Sequence, residues 1–168
     1  MALVSSRQAG LIAALAAAIA LGIAYYSEFV LHLVPCPLCY IERWPYRIVI
    51  VLGILAAIVP PRAGRLLLGL AALVMLGDVA VAFVHVGAEQ HWWASPLPEC
   101  NAPPPSFGSL PLHPSASCDA PVYLIPWLPV SFATMDLICA LIFVVAIFTY
   151  LRRSRKVATL RRRRRGWT

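Results

Sequence analysis

The sequence predicts an all-α membrane protein: an antiparallel four-helix transmembrane bundle carrying a long proline-rich outer loop. Three observations carry this. Of 168 residues, 61% are hydrophobic and 12% charged, with a mean hydropathy of +0.78, where soluble domains run about 45–50% and about 25%. Apolar stretches recur at the length a bilayer requires, about 17–25 residues. The cations, finally, gather at one end of the chain. A water-soluble globule, a disordered chain and a small secreted cysteine knot are excluded, and the whole chain, 1–168, is expected to form one transmembrane domain.

The first span, 9–26, contains no charge. Arg7 followed by Ala18-Ile19-Ala20 also fits a cleaved leader, but the apolar run continues to Tyr26, which favours an uncleaved helix. The second, 44–59, is interrupted by Arg47 and closed by Pro60 and Pro61. The third, 66–86, carries Asp78 and, near its end, His85; the fourth, 132–151, carries Asp136. Between the third and fourth, residues 87–131 hold ten prolines, a composition expected to give a mobile loop without packed helix or sheet. Within it, Val122 to Val130 suits the membrane surface, and Trp92, Trp93 and Trp127 suit the interfacial aromatic belt.

Charge sets the orientation, because Lys and Arg accumulate on the cytoplasmic side of short loops. Arg7, Arg62, Arg65 and nine cations of the tail, 152–168, fall on one side, while Arg43 and Arg47 alone fall on the other. Both termini are therefore expected in the cytoplasm. The segments 27–43 and 87–131 then face outward, and the tail is expected to anchor to anionic lipid rather than to bind nucleic acid.

Four of the five cysteines lie in those outward segments, Cys36 and Cys39 as Cys36-Pro37-Leu38-Cys39 and Cys100 and Cys118 in the long loop. Thiols outside the cytoplasm pair. Three pairings are open, and proximity favours Cys36 with Cys39 and Cys100 with Cys118. Zinc would need a second close pair, although His85, His91 and His113 could contribute ligands; no metal is expected. A redox pair needs a thiolate stabilised by a helix N-terminus or a cation. A helix beginning shortly after Cys39 would aim its positive end at that sulfur, and Arg43 follows one turn on. Arg43 is therefore assigned to the site, through its spacing and its neighbour Glu42, and Arg47 to the interface, snorkelling toward headgroups.

The run Cys36-Pro37-Leu38-Cys39-Tyr40-Ile41-Glu42-Arg43, the segment from Gly87 to Trp93, the second pair Cys100 and Cys118, and Cys118-Asp119-Ala120-Pro121 together resemble the DsbB family of disulfide-bond formation proteins. The resemblance covers nearly the whole chain. It implies a quinone-dependent protein thiol:disulfide oxidoreductase of the bacterial inner membrane, which reoxidises a periplasmic thioredoxin-like donor of the DsbA type. The catalytic residues it implies are Cys36, Cys39, Cys100 and Cys118: Cys100 would form the mixed disulfide with the partner, Cys118 would pair transiently with Cys36, and Cys39 would face the quinone. Arg43 matches the family's quinone-site arginine, with His91 a second contact, and the cofactor would be ubiquinone or menaquinone. A DsbA-type oxidant is itself strongly oxidising, so an external electron sink is required. Departures from the family pattern lie at Val122 to Trp127 and in the long arginine tail.

Asp78 is a functional candidate as an intramembrane acid. Asp136 is expected at the interface, and Cys139 as a buried small hydrophobe without chemistry. Two alternatives stand beside this assignment. One is a vitamin K epoxide reductase-like enzyme, whose quinone-side cysteines come late in the bundle; the other is a non-catalytic scaffold or small channel with structural disulfides.

Overall fold

The chain is seen in a computed structural model that describes residues 4–101, 117–124, 127 and 129–165. Four long helices make up its architecture, and among the described residues there is no strand, only an isolated bridge between Tyr123 and Ser131. His113 and most of the proline-rich stretch lie outside the described residues.

Helix α1, Ser6–Phe29, opens on a capping box: the Gln8 amide donates to the Ser5 hydroxyl oxygen and the Ser5 amide donates to Gln8 Oε1, which satisfies two otherwise orphaned donors. Helices α2, Pro37–Ile58, and α3, Pro61–Glu89, each begin on a proline, whose missing N–H is harmless in a first turn. Helix α4 spans Phe132–Arg165. The helices overrun the expected spans. α2 begins at Pro37 rather than near residue 44, and Pro45 sits inside it rather than at its start. Residues 152–165 continue α4 instead of forming a separate tail.

Helices α1 and α3, and α4 as far as Arg155, are long and apolar enough to cross a membrane. α2 carries Glu42, Arg43 and Arg47 in its first half. The protein is a multi-pass membrane protein. Leu11, Leu15, Ile19, Leu66 and Leu73 are exposed, as lipid-facing positions should be, while the interior is built from small and medium residues such as Ala17, Val49, Ala56, Ala71, Met75 and Ala140. Lipid tails are as apolar as leucine, so helices in a bilayer associate through close packing of small residues rather than through hydrophobic burial.

The start of each helix lies against the end of the next. Gly10 of α1 meets Gly53 of α2, Gly64 of α3 lies against the Ala56 carbonyl of α2, and Gly69 of α3 approaches Leu151 of α4. At the opposite end, Arg43 of α2 pairs with Glu28 of α1, His85 of α3 with Glu42 of α2, and Ser131, just before α4, donates to Glu89 of α3. Apolar glycine contacts thus occupy one end of the molecule and polar pairs the other. The loop is tied to the polar end: Trp93 lies over Gly87 and its indole N–H donates to the Val84 carbonyl, while the Phe132 amide donates to the Val122 carbonyl.

A β-carbon at Gly10 would stand 2.5 Å from the Gly53 carbonyl oxygen, whereas one at Gly22 would meet nothing within 4 Å. Gly10→Ala should therefore cost about 1–3 kcal/mol, read as a lower Tm in detergent, and Gly22→Ala should leave Tm unchanged. Equal Tm values for the two variants would refute the close α1–α2 contact.

Candidate functional site

Cys36, Cys39, Cys100 and Cys118 converge on the start of α2. Cys100 and Cys118 form a disulfide, which packs with Cys36 and Leu38 in one buried cluster flanked by Cys39, Val81 and Leu97. A short 3-10 helix, Pro98–Asn101, carries Cys100. The described parts of the loop are thus packed at the cysteines rather than free of structure, because the disulfide buries its own apolar surface against α2 and α3. The favoured pairing of Cys100 with Cys118 is present. Cys36 and Cys39, by contrast, are free thiols with sulfurs 2.9 Å apart.

The helix start decides how these two thiols differ. Cys36 is the N-cap residue of α2, and its sulfur accepts the Cys39 amide N–H at 3.2 Å. The unsatisfied amides of the first turn, with their partial positive charge, therefore converge on Cys36 and not on Cys39, as a later helix start would have had it. Cys36 also meets the Nε2 of His85 at 3.4 Å. Hydrogen bonding from the Cys39 thiol, aided by the Cys39 amide, holds the Cys36 pKa below the ordinary thiol value despite burial. The other face of His85 is engaged as well, its Nδ1 lying 2.8 Å from Glu42 Oε1 in a fully buried contact. Both sulfurs and Nε2 of His85 lie within 4.8 Å of one another.

Cys39 faces the opposite way, into a cavity between α1, α2 and α4. Ala20, Leu21, Ala24 and Met135 supply apolar wall, while Cys39, Glu42, Arg43, Tyr46 and Asp136 supply the polar edge. Arg43 is buried in this wall, paired with Glu28 across the α1–α2 contact rather than with its neighbour Glu42, and its guanidinium lies 4.9 Å from the centre of the Tyr40 ring and 5.1 Å from that of Tyr25. The Tyr40 hydroxyl also donates to Glu28. Arg47 donates to the Tyr25 hydroxyl and lies over the Trp44 ring, a half-buried cation held by aromatics.

Several expectations change here. Asp136, one turn into α4, lines the cavity and accepts a 2.7 Å hydrogen bond from the Tyr46 hydroxyl. Cys139 is exposed, at the rim of the same cavity, rather than buried. His91 adopts a left-handed backbone (φ 57°) just past the end of α3 and is exposed, outside the cavity wall. Asp78 is fully buried on α3, and neither of its carboxylate oxygens has a hydrogen-bond partner. Three groups of the site were not singled out as such from sequence: Glu28, Glu42 as a partner of His85, and His85 as a partner of cysteine. For His85 and Glu89 one signal was available, since two polar residues four positions apart share a face of an otherwise apolar helix.

Helices long and apolar enough to cross a bilayer, with two cysteine pairs meeting at one end of them beside a cavity, define a multi-pass membrane protein with clustered cysteines. Comparison with known proteins makes the assignment particular: the chain belongs to the DsbB family, whose description, disulfide bond formation protein DsbB, matches residues 6–150. It is 31% identical over 91 residues to a disulfide bond formation protein B of Herminiimonas arsenicoxydans, covering 54% of this chain and 55% of that protein. It is also 46% identical over 41 residues to an uncharacterized protein of Rickettsia prowazekii (strain Madrid E), covering 24% of each. The matched stretches thus span about half and about a quarter of those relatives. No solved structure matches the chain.

The Arg43–Glu28 pair gives a stability test. Removing one partner of a buried ion pair leaves an uncompensated charge, a loss of up to about 3–5 kcal/mol. Glu28→Gln should lower Tm in detergent, and adding Arg43→Met should restore most of the loss. A double variant no more stable than Glu28→Gln would show that the two side chains are not coupled.

Proposed function

We propose that this protein is a membrane thiol oxidase that reoxidises a periplasmic DsbA-type disulfide donor and passes the electron pair through its two cysteine pairs to a membrane quinone. One observation carries the proposal: the Cys36–Cys39 pair is split between two environments, Cys36 packed against the Cys100–Cys118 disulfide and Cys39 lining the cavity. A pair so divided has one sulfur placed to exchange with the loop and the other placed to deliver electrons to a ligand in the bundle.

The residues present suit a quinone. An apolar wall from α1 and α4 would hold a flat ring, and Arg43, fixed by Glu28, would present a guanidinium to a ring oxygen. When bound, a quinone supplies a sink for two electrons and two protons. The chain's own residues do the rest. A thiolate of the reduced partner attacks Cys100 and displaces Cys118 from the loop disulfide; the partner's second thiolate then displaces Cys100 from the mixed disulfide, and the partner leaves oxidised. When Cys36 and Cys39 are joined as a disulfide, the Cys118 thiolate attacks Cys36, beside it in the buried cluster, and frees Cys39 as the leaving thiolate into the cavity; Cys100 then displaces Cys36 from Cys118, which restores the loop disulfide and leaves Cys36 and Cys39 reduced. Every exchange breaks one S–S bond and forms one.

The working orientation follows from the cations: both termini in the cytoplasm of a bacterial inner membrane, and the four cysteines on the periplasmic side. Arg152, Arg153 and Arg155 of α4, all exposed, would then lie against anionic lipid. His91, the second choice for a quinone contact, is exposed just beyond α3.

Stopped-flow reduction of a short-tailed ubiquinone, with a reduced thioredoxin-like donor, tests the proposal. Cys39→Ser should abolish it, and Arg43→His should weaken quinone use while the Cys100–Cys118 disulfide still forms. Unchanged rates in both variants would sink the oxidase assignment and favour structural disulfides. Mixed with the oxidised donor, Cys118→Ser should trap a mixed disulfide through Cys100, which Cys118 can no longer resolve, and an adduct formed through Cys36 would refute the order of transfer.

A further inference from the structure

Closing the Cys36–Cys39 disulfide breaks two S–H bonds as well as moving two electrons, and the two protons start in different places. Cys39 lines the cavity, so its proton leaves where its electrons leave. Cys36 does not: the residue is 3% exposed and sits in the cysteine cluster. Beside its 2.9 Å contact with Cys39 Sγ, the structure holds a second route for that proton. From Cys36 Sγ it is 3.4 Å to His85 Nε2, and from His85 Nδ1 it is 2.8 Å to Glu42 Oε1. Glu42 in turn lines the cavity. All three side chains are buried, so bulk water does not offer a competing path.

We infer that His85 and Glu42 form a proton relay that carries the Cys36 proton to the acceptor bound in the cavity, an inference that rests on the oxidase function proposed above. With Nδ1–H donating to Glu42, the Nε2 lone pair of His85 faces the Cys36 thiol. His85 takes the thiol proton at Nε2 and releases its Nδ1 proton to the Glu42 carboxylate, which gives it up to an oxygen of the reduced quinone. Each hop breaks one bond to hydrogen and forms another. In sum, two thiols and one quinone become one disulfide and one hydroquinone, with electrons leaving through Cys39 and the far proton through Glu42. The arrangement is that of a nucleophilic thiol whose base is oriented by a carboxylate, with the carboxylate opening onto the site of reduction. His85 and Glu42 are positioning and proton-carrying residues toward Cys36. The titratable groups that feel His85 are Cys36, Cys39 and Glu42 at the start of α2, Glu89 on its own helix and Asp136 on α4.

The first test needs no quinone. In the full-length chain carrying Cys39→Ser, labelling of Cys36 by methyl methanethiosulfonate, followed by mass spectrometry from about pH 5 to about pH 9, reports its thiolate. Adding His85→Gln should move the midpoint up by about 1–3 pH units, and adding Glu42→Gln should move it the same way by less. The second test is single-turnover reduction of a short-tailed ubiquinone by the pre-reduced chain with Cys39 intact. His85→Gln and Glu42→Gln should each slow it by about 100-fold at neutral pH and recover as pH rises, while exchange of a small dithiol with Cys100–Cys118 stays unchanged. Unmoved midpoints with unmoved pH profiles would overturn the relay. So would a loss equal at every pH, which would mark both residues as packing groups. A wild-type chain that leaves quinone unreduced while the labelling midpoint still moves would instead overturn the oxidase function and leave only the first hop, Cys36 to His85, standing.

Discussion

The site depends on the way α2 begins. Proline at the first helical position cannot donate, and the Cys39 amide two residues on finds its acceptor in the sulfur of Cys36. This cap fixes Cys36 as the residue just outside the helix and Cys39 as one within its first turn. The two sulfurs are thereby touching yet pointed to different neighbours, one toward α3 and the loop disulfide, the other toward α1 and α4. A Cys-x-x-Cys motif placed mid-helix or in a loop would hold both thiols in one environment, and a relay with an entry and an exit could not be built on it.

Charge burial is the second constraint, and it explains why α2 is tolerated in a bundle otherwise made of apolar helices. Unpaired charge in a bilayer is costly, and each charged group in the first half of α2 is matched: Glu42 by His85, Arg43 by Glu28 and two aromatic faces, Arg47 by the Tyr25 hydroxyl and the Trp44 ring. The partners come from α1 and α3 and from α2 itself. The pairs that neutralise α2 also lock it between its neighbours, so packing and chemistry at this end rest on the same contacts. At the other end, Gly10 against Gly53 and Gly64 against the Ala56 carbonyl do the locking with no charged side chain.

Proton and electron movements in such a site need separate routes. Sulfur-to-sulfur exchange carries electrons but leaves protons behind wherever each thiolate forms, and inside a bundle they cannot diffuse away. A buried histidine between a thiol and a carboxylate answers that need, and it links the two environments that the start of α2 divides.

Read alone, the sequence established an all-α membrane protein and the positions of its two cysteine pairs. Hydropathy runs of bilayer length, the cation asymmetry and the Cys36-Pro37-Leu38-Cys39 motif are local in the chain, and local patterns survive without knowledge of the fold. Helix existence was legible for the same reason. Helix ends were less so, because the start of α2 turns on a sulfur acting as a cap. Contacts between residues far apart in sequence emerge only from the packing of the helices. Cys36 with His85 is separated by 49 positions, His85 with Glu42 by 43, and Tyr46 with Asp136 by 90. Arg43 has a carboxylate next to it in the chain, yet pairs with Glu28, fifteen positions away. Adjacent residues on a helix point in different directions, whereas packed helices bring opposite charges face to face, and no spacing rule along one strand of sequence encodes that choice.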